Sequence, residues 1–169
     1  MDETARAAYA EFATARWGAL VRAGVVLGCD HHAAEDLAQA TLVRCFVKWS
    51  QVERAHDRDA YVARVLVNLH RQGRRRRWRD EVPSEAPPER LVESDAAAVD
   101  DLEGVRRALL CLTPEQREAV VLRVHLQLPE REAAAVLGVP PGTVKSRLSR
   151  ALSRLATEPT VIEMRGGRQ

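Results

Sequence analysis

The sequence predicts an all-α protein: two small helical domains joined by an acidic linker, the second containing a helix-turn-helix. Three observations predict it. Ala, Leu, Val and Arg dominate the 169 residues while aromatics stay at 4%, which favours helix over sheet. Apolar residues recur at helical spacing through most of the chain. One stretch, DEVPSEAPPERLVESDAAAVDD at Asp80–Asp101, is rich in Pro and carboxylates and breaks that spacing. The expected units are a first domain at 1–79, a linker at 80–101, a second domain at 102–157 and a flexible tail at 158–169.

Taken in order, Thr4–Leu27 reads as a helix with Tyr9, Phe12, Leu20 and Val21 inward, ended by a turn at Gly28–Asp30. His32–Trp49 is a clearer helix. Its inward stripe is Ala34, Ala38, Thr41, Leu42, Cys45 and Trp49, and its opposite face carries Asp36, Gln39, Ala40, Val43 and Val47. Two outward valines beside a carboxylate and an amide fit either a second packing surface or a docking face for a partner protein. Ser50–Asp59 is a polar loop. Ala60–Arg79 follows as a helix with Val62, Val65, Leu66 and Leu69 inward; Arg64, Asn68, Arg71 and Arg75 lie on the far side and run into the block Arg74–Arg79. No acidic residue lies within Tyr61–Arg79, so this face suits a nucleic-acid backbone.

Beyond the linker, Leu102–Leu112 reads as a helix. Thr113-Pro114-Glu115-Gln116 starts another, with Thr113 as N-cap and Gln116 reaching back, and it runs to about Leu126 with Val120, Val121 and Val124 buried. Glu130–Leu137 is a short helix closed by Gly138 in the left-handed conformation. A last helix opens at Pro141 and turns Val144, Leu148, Ala151, Leu152 and Leu155 inward. Thr143, Lys145, Ser146, Arg147, Ser149, Arg150, Ser153 and Arg154 are left to its outer face and borders, and no acid occurs between Pro141 and Thr157. Such a helix suits a DNA major groove, where Arg and Lys reach guanine or phosphate and Ser reaches either.

The net charge is only +2, so the placement of charge matters more than its sum. Cys29, Cys45 and Cys111 are scattered and odd in number, which points to thiols in a reducing compartment. MDETARAAYAEF is acidic and amphipathic rather than a signal peptide, and the longest apolar run falls far short of a membrane span; a cytoplasmic location is expected. Cys29-Asp30-His31-His32 lies in a single turn with no distant Cys/His pair to complete a metal site. Phosphate-binding Gly loops and hydrolase or metalloprotease motifs are lacking. Neither catalysis, a metal nor a cofactor is expected.

At Ala34-Glu35-Asp36-Leu37-Ala38-Gln39-Ala40-Thr41-Leu42-Val43-Arg44 the chain resembles the core-binding helix of bacterial RNA polymerase sigma factors. Ala60–Asn68 with the Arg block is similar to that family's −10-reading helix. Leu112–Arg117 and Leu137–Arg147 resemble its −35-reading domain, and the small size without a middle domain resembles the extracytoplasmic-function group, the SigE-like subfamily in particular. Ala40 stands where the family usually has an acid, and Tyr61 replaces a common Trp. The resemblance implies a sigma factor that directs core polymerase to promoters. Asp36, Gln39, Ala40, Val43 and Val47 would meet the β′ clamp helices. Val52, Arg54, His56, Asp57, Arg64, Asn68, Arg71 and Arg75 would take the −10 element, with one base flipped into the loop. The outer face of the last helix would read the −35 duplex while its domain docks on the β flap. An anti-sigma partner is left open. The alternative reading from the residues is a one-component helix-turn-helix regulator that acts without polymerase.

Overall fold

The computed structural model describes residues 2–80, 104–159 and 161, and every element among them is helical. The first half holds α1 (Glu3–Val26), α2 (His31–Val47), α3 (Trp49–Glu53) and α4 (Arg58–Asp80). The second half holds α5 (residues 104–109), α6 (Pro114–Val120), α7 (Glu130–Leu137) and α8 (Pro141–Ala156), with a single π-helical turn at Val121–His125 between α6 and α7. Residues 81–101 of the expected linker and 162–169 of the expected tail lie outside the described residues. No helix among the described residues is long and apolar enough to cross a membrane.

Local chemistry sets the helix ends. Asp2 caps α1 and Asp30 caps α2, each carboxylate accepting a first-turn N–H at 2.8 Å. The capping box at Thr113 forms in both directions: Gln116 N–H donates to Thr113 Oγ1, and Thr113 N–H donates to Gln116 Oε1. Gly138 ends α7 at φ +69°, a conformation that costs other residues about 1 kcal/mol or more. Gly24 serves a different need. A Cβ there would stand 2.8 Å from Ala34 Cβ, so α1 and α2 cross where neither carries bulk.

The helix expected to run to Trp49 ends at Val47; five of the six positions expected inward lie on α2, the sixth, Trp49, opens α3, all six are buried, and Leu37 joins them. Leu20, Leu27 and Leu66 are among the largest buried side chains, each worth about 1.5–3 kcal/mol of transfer free energy. This core continues into the second half. Val121, Leu122, Leu128, Ala133, Ala134, Val136, Leu137 and Val144 belong to the same apolar cluster, with α4 packed on α7. A smaller cluster, Leu109, Leu112, Val120 and Ala151, holds α5, α6 and α8 together.

Two expectations of burial and loop are corrected. Part of the polar loop is helical: α3 turns Val52 fully inward, so its side chain belongs to the core and not to a DNA surface. Val124, expected inside, is 50% exposed. The π turn inserts extra residues per turn and rotates Val124 off the stripe that Val120 and Val121 occupy. Leu126 N–H then bonds to Val121 C=O and Leu128 N–H to Leu122 C=O, both at 2.8 Å, with Gln127 at φ +54°. That closure aims the chain into α7.

Candidate nucleic-acid interface

On α8, Val144 and Ala151 anchor the helix, and Lys145, Ser149, Arg150, Ser153 and Arg154 are exposed. Thr143, Ser146 and Arg147 are half-buried; Ser146 donates its hydroxyl to Thr143 C=O at 3.0 Å, so its oxygen is left to accept. Leu152, expected inward, is 48% exposed at the border of this face. The eight residues named from the sequence therefore share one accessible basic surface.

Arg64, Asn68 and Arg75 line the open face of α4. The loop before it brings Arg54 and His56 to the surface, while Asp57 caps α4 by accepting the Ala60 N–H at 2.9 Å. A cleft of about 810 Å³ separates His56–Asp59 from Pro129–Glu132 at the start of α7. On α2, Asp36, Gln39 and Ala40 are exposed, and Val43 and Val47 keep 55% and 71% of their surface open. These valines line a groove of about 470 Å³ that also takes in Tyr61, Val65 and Asn68, so the core-docking and −10 faces adjoin.

Arg71 differs from its neighbours on α4. Its guanidinium forms a two-point ion pair with Glu118 of α6, Nε to Oε1 at 2.8 Å and Nη2 to Oε2 at 2.6 Å. Glu118 is 2% exposed, and its hydrogen bond to Arg71 raises the Arg71 pKa. A second tie between the halves runs from His125 Nε2 to Ala19 C=O at 2.8 Å; a carbonyl only accepts, so Nε2 carries the proton. Glu118 was missed in the sequence, although it precedes Val121 and Leu122 by three and four residues and so shares their inward stripe.

Beside this pair His70 is 6% exposed. Burial first, then the Arg74 charge, lowers its pKa to about 4; Arg77 and Arg117 push the same way and Glu118 opposes them. His70 is thus held neutral in the folded protein and charges on unfolding. The unfolded chain takes up the proton first, so stability present above pH 6.5 is lost on the way down to pH 4. The loss from His70 should reach about 2 kcal/mol at pH 5 and about 3 kcal/mol at pH 4. Denaturant unfolding of wild type and His70→Gln across this range checks it: the variant should lose that part of the slope, and identical slopes would refute the assignment.

The sequence model for "Sigma-70, region 4" matches residues 102–155. The chain is 38% identical over 150 residues to the RNA polymerase sigma-E factor of Streptomyces coelicolor, covering 89% of this chain and 85% of that protein. It is 34% identical over 142 residues to the sigma factor SigC of Mycobacterium tuberculosis, covering 81% and 76%. Among solved structures, the sigma factor RpoE of Bartonella quintana, in complex with the anti-sigma factor NepR, aligns with a TM-score of 0.65 at 29% identity over 86% of this chain and 94% of that one. CnrH, in complex with the cytosolic domain of CnrY, aligns at 0.63 and 25% identity over 89% and 86%. With an all-helical fold, a helix-turn-helix with a basic outer face and homology along most of its length, the chain belongs to the extracytoplasmic-function sigma factors, which direct bacterial RNA polymerase core to promoters and initiate transcription.

Proposed function

We propose that the two halves divide the promoter between them: residues 1–79 take core polymerase and the −10 element, and residues 102–157 take the −35 element. The observation that carries this is the pair of acid-free basic faces, one on α4 and one on α8, with an open valine face on α2 beside the first. In this reading Asp36, Gln39, Ala40, Val43 and Val47 meet the β′ clamp helices. Arg54, His56, Arg64, Asn68 and Arg75 take the −10 strand, and Asp57 holds the loop. The α8 face reads the −35 duplex while its half docks on the β flap. The acidic stretch 80–101 threads toward the active-site cleft. The factor works in the cytoplasm without catalysis of its own, and its partners are core polymerase and promoter DNA, with an anti-sigma protein such as the one bound to the Bartonella quintana relative as a third candidate.

Simultaneous reading requires the halves to part. The two elements lie roughly 25 base pairs apart, about 85 Å of duplex. A packed body of this size is only about 40 Å across. Docking on polymerase supplies the surface that replaces the contacts of α4 with α7.

Run-off transcription with core polymerase on a randomised promoter library tests the assignment. Selected promoters should carry two conserved blocks, and one block alone would refute the division. Within α8, Arg150→Ala should cost about 1–3 kcal/mol at a single −35 position if the guanidinium takes a guanine edge. A uniform loss over all sequences would make Arg150 a phosphate contact.

A further inference from the structure

In the first half α1 packs on α2 and α2 packs on α4. One ion pair reaches past that order. Arg16 of α1 donates from Nη2 to Asp59 Oδ1 in the first turn of α4. No other ion pair among the described residues joins these two helices. The loop ahead of α4 is shaped by its own bonds. Arg54 Nε donates to Ser50 C=O at 2.8 Å, Arg58 Nη2 donates to Glu53 C=O at 3.1 Å, and Asp57 is spent on the cap of α4. Bonds within the loop fix its shape, but not where it stands against α1. Packing leaves it room to shift. Behind the pair lies a cavity of about 240 Å³ whose walls include Leu20, Val62, Ala63 and Leu126. In front lies the cleft of about 810 Å³, which Arg16 lines together with His56–Asp59. A turn with open space on two sides lacks the steric stop that close packing gives a core residue.

We propose that Arg16 is a positioning residue for −10 recognition: acting through Asp59, it sets the place of the loop at which the extruded base is read. The proposal rests on the assignment of this loop to the −10 strand. The side chains of Arg16 and Asp59 are 37% and 42% exposed, and a pair so open to water adds little to stability. Asp59 does not need the arginine in order to be tolerated, because a carboxylate in the first turn of a helix is favoured by the macrodipole. What the pair supplies is place. Reading a base edge requires groups held to within roughly 0.5 Å, which a loop free to slide into a neighbouring void does not achieve. Both partners lie within residues 1–79, so the pair survives when α7 is drawn away from the other wall of the cleft. α1, to which the sequence assigned no role in DNA recognition, thereby enters the −10 site.

The test uses holoenzyme assembled from core polymerase and the full chain, with Arg16→Ala, Arg16→Lys, Asp59→Asn and the double variant Arg16→Ala with Asp59→Asn. Each −10 position is randomised in turn on a promoter with a fixed −35 element, and preference among the four bases is read at each. Arg16→Ala and Asp59→Asn should each lower that preference at least about fivefold at one or two adjacent positions. The double variant should be no worse than the poorer single one, because both changes remove the same bond. Arg16→Lys should keep most of the preference. Melting of the free variants should stay within about 2 °C of wild type. A melting loss in both single variants with base preference intact would make the pair part of the fold and overturn the proposal. Loss in Arg16→Ala alone, with the salt dependence of binding reduced by about one unit, would make Arg16 a phosphate contact and overturn it as well. Uniform loss at every −10 position, or no loss at any, would also overturn it. Failure of the underlying assignment is read separately, as indifference of wild type to a scrambled −10 sequence.

Discussion

Replacing Arg71 by Met is expected to open the seam between α4 and α6 and to cost about 3–5 kcal/mol of the packed state. The two partners are not equivalent. The Glu118 side chain is 3% exposed and that of Arg71 29%, so only the arginine can turn to water when its partner is lost. Met keeps much of the stem and removes the charge, leaving a buried carboxylate with neither counter-ion nor two-point donor. Glu118→Gln should be milder, about 1–2 kcal/mol, because the amide oxygen still accepts from Arg71. Arg71→Met with Glu118→Leu should recover most of the loss, since an apolar pair of similar volume replaces a buried ion pair at little cost. Denaturant unfolding gives the energies, and the hydrodynamic radius with limited proteolysis tells seam opening from global unfolding. A compact Arg71→Met protein with wild-type stability would refute the role of the pair.

That seam explains where the sequence could be read and where it could not. Faces were legible because helical period alone decides which residues a bundle leaves outside. The outer faces of α2 and α8 came from spacing, and the structure leaves Val43, Val47, Arg150 and Arg154 open. Helix starts were legible at Thr113 because a capping box is chemistry within four residues. Pairings across the chain were not. Arg71 and Glu118 are 47 residues apart, and nothing near either one announces the other. Arg71 therefore read as one more cation on a nucleic-acid face. Val52 was hidden for a similar reason: a single apolar residue among SQVERAHDRD carries no period, and only the packing of α3 beneath α4 takes it inside. Val124 failed by register, since a π turn has no composition signal that spacing arguments detect.

Val43→Glu is expected to leave the free protein almost unchanged and to weaken its binding to core polymerase at least about tenfold. The physical motive lies in the burial pattern of α2. Its inward stripe from Ala34 to Cys45 is complete without Val43, which is 55% exposed, or Val47, which is 71% exposed. Phe46, at 44% exposed, stacks edge-on against Tyr9 at 4.9 Å and so is partly committed to the bundle, whereas the two valines are not. A glutamate at position 43 remains in water in the free factor, where a surface substitution shifts stability by no more than about 0.5 kcal/mol. In a docked complex the same carboxylate would sit in the apolar centre of the contact without a partner, and the penalty is several kcal/mol unless the interface rearranges. Arg44 and Lys48 flank the groove and soften that penalty if they swing inward, which sets tenfold rather than a larger factor as the lower bound. Paired measurements on one variant, thermal unfolding of the free chain and its affinity for core, separate the readings. Unfolding of the free protein by Val43→Glu would make the valines part of the fold. Unchanged melting with unchanged affinity would remove this face of α2 from the contact with polymerase.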